Sequence, residues 1–377
     1  MKDNNDATLN DDIVKGILDG KDYISGFNEK DPENIKVITE NGYEFPISDL
    51  YDKDENNPPA GGDEVKVGED FTDSNGNEWV WIEVPKTEEV YKTAGVEITD
   101  FTDKYDIIYN DLASYAGTYR DEDNKGTATG TDEWYDGCGL ESSKYDELKK
   151  KMLKSVYENE GFHIGKYEVG IEEENTYRTE NTDPTQTPVI QQNKVVYNWV
   201  RTSQAQKLSE RLKEGLNLED KEISLMFGIQ WDLVLKYIET KGENAEDGTL
   251  IDETAIKSDS KKWGNYSDVT FTVTNTNAKY SEDNGESYKP VTAEGYPKLG
   301  SILLTTGATE RNSVAGIYDL AGNIWEWTLE KTTLSGRPCS DRGGNYFNGG
   351  SNYPASSRYR NTTSGSYYDI GFRPALY

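Results

Sequence analysis

The sequence predicts an α+β protein, and three observations lead to this fold class. Short apolar segments typical of strands are interleaved with segments whose apolar residues recur at helical spacing. Aromatic residues make up 11% of the chain and include 26 tyrosines, a content too high for a mostly disordered protein. No repeat of fixed period interrupts this pattern, so the elements are expected to form a folded core rather than a solenoid.

Length and charge limit the function classes. The 377 residues correspond to two or three domains at roughly 150 residues per domain. Acidic residues outnumber basic ones by 70 to 40, which gives a net charge of −30 and argues against nucleic acid as a partner. The sequence contains neither an apolar run of about 18 residues nor a recognisable signal peptide, so we expect any membrane association to need an anchor absent from this sequence.

The N-terminal residues 1–56 are predicted to form a small acidic segment that contains a β-hairpin. The hairpin spans Ile35–Leu50, because Asn41-Gly42 separates two stretches of alternating apolar residues. Residues 57–75 are acidic and include Asn-Asn-Pro-Pro-Ala-Gly-Gly, so they are predicted to be a linker. Residues 76–377 are expected to form the main domain.

The main domain is predicted to alternate strands and helices. Ser142 is expected to cap the most regular helix and Gly161 to end it. In chain order the elements are a buried strand at Glu78–Pro85, a helix at Ser142–Glu160, a strand at Phe162–Gly170, helices at Thr202–Gly215 and Gln230–Thr240, and a polar excursion over Gly242–Gly295 with a hairpin at Val269–Val273.

Four glycine- and aromatic-rich motifs stand out in the main domain. Trp325 and Trp327 alternate with Glu326, so both rings can face one core while the carboxylate faces the other way. Arg342 and Arg373 present guanidinium groups that could pair with carboxylates within the core. The motifs are Lys166-Tyr167-Glu168-Val169, Gly316 to Trp327, Arg342-Gly343-Gly344 and Gly371-Phe372-Arg373.

These motifs resemble the formylglycine-generating-enzyme (sulfatase-modifying factor) family from about Glu78 to Tyr377. The resemblance implies a C-type-lectin-like fold with insertions. The ending Gly371-Phe372-Arg373-Pro374-Ala375-Leu376-Tyr377 looks even more like bacterial and phage surface proteins of this fold, some of which are diversified by retroelements.

In the resembled family a structural calcium ion uses the loop that corresponds to Asp319–Glu326. Carried over by position, Asp319 and Glu326 would supply side-chain oxygens, and Gly322 and Ile324 would supply carbonyl oxygens. The alternative is that Asp319 caps a turn and Glu326 pairs with an arginine. Otherwise we expect no cofactor.

The resemblance also provides a test for enzymatic activity. The family oxidase holds copper with two cysteine thiolates just after the Gly-Gly pair, and the matching positions here are Asn348 and Tyr353, which supply no thiolate. Cys339 precedes that pair and is out of register, so we predict no catalytic residues and no enzyme. Cys138 and Cys339 could form one disulfide or stay free, and the only histidine, His163, is interpreted as structural.

The C-terminal region 340–370 has the composition of a recognition surface. Of the 30 residues from Ser340 to Asp369, 17 are Asn, Ser, Thr or Tyr, the side chains that dominate antibody paratopes. The same composition is typical of a polar glycine-rich loop without a variable ligand, so both interpretations stay open. The predicted ligand-binding residues are Asn345, Tyr346, Asn348, Asn352, Tyr353, Tyr359, Asn361, Ser364, Tyr367 and Tyr368.

Together these features favour a non-enzymatic, adhesin-like binding protein at a bacterial cell surface. Its expected partner is a protein or glycan on another cell or surface, without nucleic acid. The C-terminal face could be diversified by a retroelement. The alternatives are a calcium-dependent lectin of fixed specificity, a structural pilus or fibre-tip subunit, and a family enzyme with altered chemistry.

Overall fold

A computed structural model describes residues 23–25, 36–38, 44–46, 65–120, 129–180, 182–218 and 220–377. The chain divides into two compact units, Met1–Gly61 and Gly62–Tyr377. Residues 57–75, predicted as a linker, therefore span the boundary between the units. Their last part forms strand in the second unit, because Phe71 pairs with Trp79.

The first unit contains a three-stranded antiparallel sheet of β1 (Tyr23–Ser25), β2 (Lys36–Ile38) and β3 (Glu44–Pro46). Val37 is the register partner of Phe45 across β2 and β3, which confirms the predicted hairpin. The Asn41-Gly42 turn lies outside the described residues. The prediction of a small N-terminal β element is thus confirmed.

The second unit is a mixture of helices and short strands. Its strands are β4 (Phe71–Thr72), β5 (Glu78–Glu83), β6 (Gly130–Thr131), β7 (Gly161–Gly165), β8 (Gly170–Ile171), β9 (Pro188–Val189), β10 (Val195–Val196), β11 (Ile223–Leu225), β12 (Phe271–Val273), β13 (Lys279–Ser281), β14 (Lys289–Pro290), β15 (Tyr296–Lys298), β16 (Leu303–Leu304), β17 (Ser313–Val314), β18 (Ile317–Tyr318), β19 (Trp325–Thr332), β20 (Cys339–Arg342), β21 (Arg358–Asn361), β22 (Ile370–Phe372) and β23 (Pro374–Leu376).

Two larger sheets organise this unit. One has the antiparallel order β11-β23-β7-β5-β4, so the last strand of the chain lies in its interior. The other has the order β21-β20-β19-β22, with β6 also paired to β19. In that second sheet β22 runs parallel to β19, whereas β20 and β21 are antiparallel to their neighbours.

The structure describes five helices: α1 (Tyr105–Arg120), α2 (Ser142–Asn159), α3 (Thr202–Arg211), α4 (Gly228–Lys241) and α5 (Glu253–Lys257). Three of them match predicted helices; α1 was missed in a polar, tyrosine-rich stretch, and α5 was missed in the polar excursion. The cap prediction for α2 was wrong, because Glu141 occupies the N-cap and Glu160, at φ 63°, takes the left-handed C-cap position. None of the described helices is long and apolar enough to cross a bilayer.

The polar excursion after α4 forms its own small sheets. Val273 on β12 pairs with Tyr296 on β15, so the predicted local hairpin at Val269–Val273 is instead one strand with a distant partner. A separate apolar cluster holds this insertion together, and its members are Val273, Ala278, Val291, Ile302, Leu304 and Ala308. This excursion is therefore a folded insertion, and its position beside the C-terminal segment matters for the candidate site.

Candidate functional site

The two sides of β19 have different chemistry because side chains alternate along a strand. Trp325 and Trp327 lie on one side, and both are buried, at 5% and 0% exposure. Glu326 and Glu330 lie on the other side and are also buried. The Trp325 ring packs against Tyr359 and the Trp327 indole N–H donates to the Val200 carbonyl, whereas Glu326 pairs with Arg373, so the predicted separation is confirmed.

The Glu330 side of the sheet holds a buried network of charges. Glu330 accepts hydrogen bonds from Arg120 at 2.7 Å and Arg342 at 3.0 Å, and Arg358 lies 2.9 Å away. Asp232 on α4 lies 2.7 Å from Arg342 and 3.0 Å from Arg120. The predicted core role of Arg342 is confirmed, and its partners come from distant parts of the chain.

The same network fixes the start of α4. Asp132 accepts a hydrogen bond from Arg120 at 2.9 Å and further ones from the backbone N–H groups of Gly228 and Ile229 at 2.6 and 3.0 Å. These N–H groups belong to the first helical turn, which has no helical acceptors of its own. Three arginines and three carboxylates therefore join α1, α4 and three strands of the second sheet.

Arg373 forms a buried ion pair with Glu326. Its guanidinium lies 2.7 Å from Oε1 of Glu326 and donates a second hydrogen bond to Oε2 at 3.1 Å. Asp319 is also buried, and its oxygens accept hydrogen bonds from the Gly307 backbone at 2.7 Å and from Asn312 at 3.2 Å. This arrangement matches the alternative interpretation, in which Glu326 pairs with an arginine.

In this geometry the four predicted calcium residues, Asp319, Gly322, Ile324 and Glu326, do not fit a calcium ion. Calcium prefers six to eight oxygen ligands, whereas both carboxylates here are engaged by protein donors. In the described part of the chain, no group of three or more His, Cys, Asp or Glu residues is arranged to hold a metal.

Adding millimolar calcium is therefore expected to leave the melting temperature unchanged. A ligand that binds the folded state raises stability by mass action, so differential scanning fluorimetry with calcium or with a chelator measures this directly. Magnesium at the same concentration controls for ionic strength. A calcium-specific rise would show that Glu326 exchanges Arg373 for the ion and would restore the calcium interpretation.

The C-terminal segment leaves β20 through two glycines in the left-handed region. Gly343 has φ 92° and Gly344 has φ 81°, and a Cβ atom at Gly344 would clash with the carbonyl oxygen of Tyr353. Asn345 then accepts hydrogen bonds from the backbone N–H groups of Phe347 and Asn348, both at 3.0 Å. These contacts fix the shape of the segment before its first exposed ring.

The insertion supports this segment from one side. The Tyr346 hydroxyl is 3.2 Å from Oδ1 of Asn284. The backbone N–H of Ser267 donates to the Asn348 carbonyl at 2.8 Å, and the N–H of Gly350 donates to Asp268 at 3.0 Å. The polar excursion in the sequence thus has a structural role, which is to hold the C-terminal loops in place.

Aromatic rings gather in two clusters along this segment. The first contains Tyr346, Phe347 and Tyr368, with centroid distances of 4.6 Å between Tyr346 and Phe347 and 5.6 Å between Phe347 and Tyr368. The second contains Trp325, Tyr353 and Tyr359, whose three centroid distances lie at 5.5, 5.7 and 6.0 Å. Asp369 connects the clusters, since it follows Tyr368 and its carbonyl accepts the Trp325 backbone N–H at 2.9 Å.

The structure places the predicted ligand-binding residues at different depths. Asn345 and Tyr346 are buried, each at 1% exposure, and the half-buried positions are Asn348, Tyr353, Tyr359, Asn361 and Tyr368. Asn352, Ser364 and Tyr367 are exposed. Within the described residues, no ring contact or hydrogen bond joins Asn352 or Ser364 to the two aromatic clusters.

Two aromatic residues at this surface were missed by sequence reasoning. Phe347 is 40% exposed although it lies between predicted residues, and a bulky ring in a polar loop was an available signal. Trp199 packs 5.8 Å from Tyr368, and its backbone N–H donates to the Tyr367 carbonyl at 2.9 Å. Its φ of 53° is uncommon for a bulky residue, and no sequence signal marks it.

Two carboxylates beside the second cluster were also missed. Asp341 is fully buried, and burial raises its pKa to about 8. Burial likewise raises the pKa of Asp369 to about 6. Asn361 donates to Asp341 at 3.1 Å and Asn345 donates to Asp369 at 2.6 Å, so two predicted ligand-binding amides hold these acids.

The two cysteines and the histidine of the chain are buried. Cys138 and Cys339 are both buried and free, and burial raises the pKa of both thiols. His163 packs between Phe71 and Trp81, and its Nε2 lies 2.9 Å from the Glu69 carbonyl. Burial lowers the pKa of His163 to about 4, in agreement with the structural interpretation.

Comparison with known proteins gives one family match. The model of the sulfatase-modifying factor enzyme 1-like domain matches residues 138–376. No curated protein matches the sequence. Among solved structures, Treponema denticola variable protein 1 is 16% identical over 57% of this chain and 84% of its own, with a TM-score of 0.29.

A second solved structure, described as the crystal structure of CarF, is 15% identical over 79% of this chain and 85% of its own, with a TM-score of 0.18. Both TM-scores are too low for residue-by-residue comparison. The family match covers the second sheet apart from β6, the buried charge network apart from Arg120 and Asp132, and the whole C-terminal segment.

Proposed function

This chain belongs to the family of sulfatase-modifying factor enzyme 1-like domains, with its α+β, C-type-lectin-like fold, and we propose that it is a member that binds a ligand without catalysing a reaction. The observation that supports this most is the C-terminal face, defined as the exposed or half-buried side chains of residues 345–369. Its tyrosine and amide groups stand on a segment fixed by buried asparagines, glycines and the insertion. Rigid aromatic groups on a fixed support bind with a low entropic cost.

The positions that bear the family's copper thiolates support a non-enzymatic role. By the register of the resembled motif these positions are Asn348 and Tyr353, and Tyr353 packs its ring against Trp325 at 5.5 Å. An asparagine and a packed tyrosine do not offer the soft ligands that Cu(I) needs. The proposed task of these residues is to shape the face.

The proposed partner is a protein or glycan on another cell or surface, and the proposed location is outside the cell. The Tyr, Asn and Ser content of the face also fits diversification by a retroelement. A near-copy of the codons for Arg342–Tyr377, differing mainly at adenines and lying beside a reverse-transcriptase gene, would establish that. Without such a copy, a fixed ligand remains.

Replacing Tyr367 by alanine is expected to leave the fold intact and to reduce ligand binding at least tenfold, because this ring is 37% exposed. The measurement applies labelled wild type and Tyr367→Ala to the same protein and glycan arrays, with melting temperatures taken alongside. Tyr346→Ala provides the contrast, since its ring is 1% exposed and its loss should lower the melting temperature.

The same arrays discriminate the rival functions. A glycan signal that chelation abolishes while the fold survives would favour the calcium-dependent lectin. Equal binding by wild type and Tyr367→Ala would move the binding surface away from the C-terminal face. No binding signal on either array, combined with self-association of the protein, would favour a structural subunit.

A further inference from the structure

A buried carboxylate beside the C-terminal face lacks part of its hydrogen bonding. Asp341 is 0% exposed and accepts one hydrogen bond at Oδ1, from Asn361. Its Oδ2 has no hydrogen-bond partner among the residues that the structure describes. A buried polar atom without a partner costs free energy, so Oδ2 offers an open position for a hydrogen-bond donor.

Most of the arginines that could neutralise Asp341 pair with other carboxylates. Arg342 and Arg358 flank the register of Asp341 and Tyr359, but their guanidiniums join Glu330 and Asp232 on the opposite side of the sheet. Arg360 lies 5.3 Å from the Tyr359 ring and lowers the pKa of Asp341 less than burial raises it. A second acid, Asp369, adds negative charge beside it.

Aromatic rings border these acids. Tyr359 is the register partner of Asp341, and its ring lies 5.7 Å from Trp325 and 6.0 Å from Tyr353. Aromatic faces attract cations, and the attraction grows when the cation is partly desolvated. Arg360 already places one cation over the Tyr359 ring.

We propose that the C-terminal face recognises a basic side chain of a protein ligand, a lysine or arginine that reaches Asp341 and Asp369 between Trp325, Tyr353 and Tyr359. This inference rests on the proposed binding function and specifies the chemistry of the ligand. Asn361 is half-buried and donates to Oδ1 of Asp341, so it lies between that carboxyl and the surface. A guanidinium would donate to Oδ2 of Asp341 while its flat surface lies against the rings.

The net charge of the protein also favours a basic ligand. A total of −30 attracts basic partners over long distances and speeds their encounter. A general attraction of this kind lacks a location, however, so the test must separate it from binding at Asp341.

The test uses n-butylguanidinium as the probe and its uncharged analogue n-butylurea as the control. Binding is followed by the indole N–H signal of Trp325 in NMR spectra, assigned through Trp325→Phe. We expect butylguanidinium to shift this signal, butylurea to leave it in place, and Asp341→Asn to weaken the effect at least tenfold. Asp106→Asn, which removes an exposed aspartate on α1, controls for net charge.

The fold of Asp341→Asn is expected to survive. The pKa of Asp341 is raised in the folded state, so stability falls as pH rises from the unfolded pKa of about 3.9 through the folded pKa of about 8, and asparagine removes that cost. Asp369→Asn serves as a second variant with the same expected loss of probe binding.

Three outcomes would overturn the proposal: equal shifts with butylurea, equal weakening by Asp106→Asn, or full probe binding by Asp341→Asn and Asp369→Asn. A shift with glucosamine but not with butylguanidinium would also overturn it in favour of a basic glycan.

If Tyr367→Ala abolishes array binding while Asp341→Asn preserves it, this inference fails and the proposed function stands. If the probe behaves as expected and the arrays stay silent, the proposed function is what fails.

Discussion

Replacing Glu330 by glutamine should lower the free energy of unfolding by about 3–5 kcal/mol. Glu330 is fully buried and faces Arg120, Arg342 and Arg358. Glutamine keeps the size of the side chain but leaves three guanidiniums opposite Asp132 and Asp232 alone. An uncompensated charge in the interior costs several kcal/mol, whereas a complete ion pair roughly balances its desolvation.

Urea denaturation at pH 7 measures this effect, and Glu158→Gln is the matched control. Glu158 forms a 3.7 Å pair with Lys154 on the surface of α2 and is 48% exposed, so its loss should cost under about 0.5 kcal/mol. A similar small cost for Glu330→Gln would show that water or a rearranged arginine satisfies the network.

The urea denaturation is done at pH 7 because of the direction in which the pKa of Glu330 is shifted. Burial by itself raises the pKa of Glu330, but Arg358, Arg342 and Arg120 together outweigh burial and hold this pKa well below its usual range. A lowered folded-state pKa means that the stabilisation is fully present above the unfolded pKa of about 4.3 and is lost as pH falls below it. The difference between wild type and Glu330→Gln should therefore shrink in acid.

Local patterns predicted the parts of this fold that depend on nearby residues. The alternation of Trp325, Glu326 and Trp327 placed three side chains correctly, and the periodicity of α2 located it to within a residue at each end. The charge network was not predictable in the same way. Arg120 and Glu330 are 210 positions apart, and one sequence carries no signal that pairs them.

The C-terminal face shows a second limit of sequence reasoning. Composition identified a region rich in tyrosine and asparagine, yet it does not separate a side chain that meets a ligand from one that supports the loop. Asn345 and Tyr346 are buried and hold the segment in place. The next residue, Phe347, is exposed. Asp341 was not predicted as a site residue, because the sequence of a strand does not show how deeply an aspartate is buried.

Trp327→Ala should cost about 3–5 kcal/mol of unfolding free energy, the second of the two large effects. Its ring is fully buried, and its indole N–H donates to the Val200 carbonyl at 2.9 Å. Trp327→Phe separates the two contributions, because it keeps most of the ring and removes the hydrogen bond, for an expected cost of about 1–3 kcal/mol. Unchanged urea midpoints for Trp327→Ala would refute the core placement.

This substitution also connects the core with the binding face. Val200 follows Trp199, whose ring packs against Tyr368 and whose backbone N–H holds the Tyr367 carbonyl. Loss of the Trp327 anchor would free the Trp199 backbone from its left-handed conformation, which is maintained only while its surroundings restrain it. Trp327→Phe should therefore weaken ligand binding more than its stability cost implies. A leucine-to-alanine change at Leu153, buried in α2 away from the face, should lower stability by a comparable amount and leave binding intact.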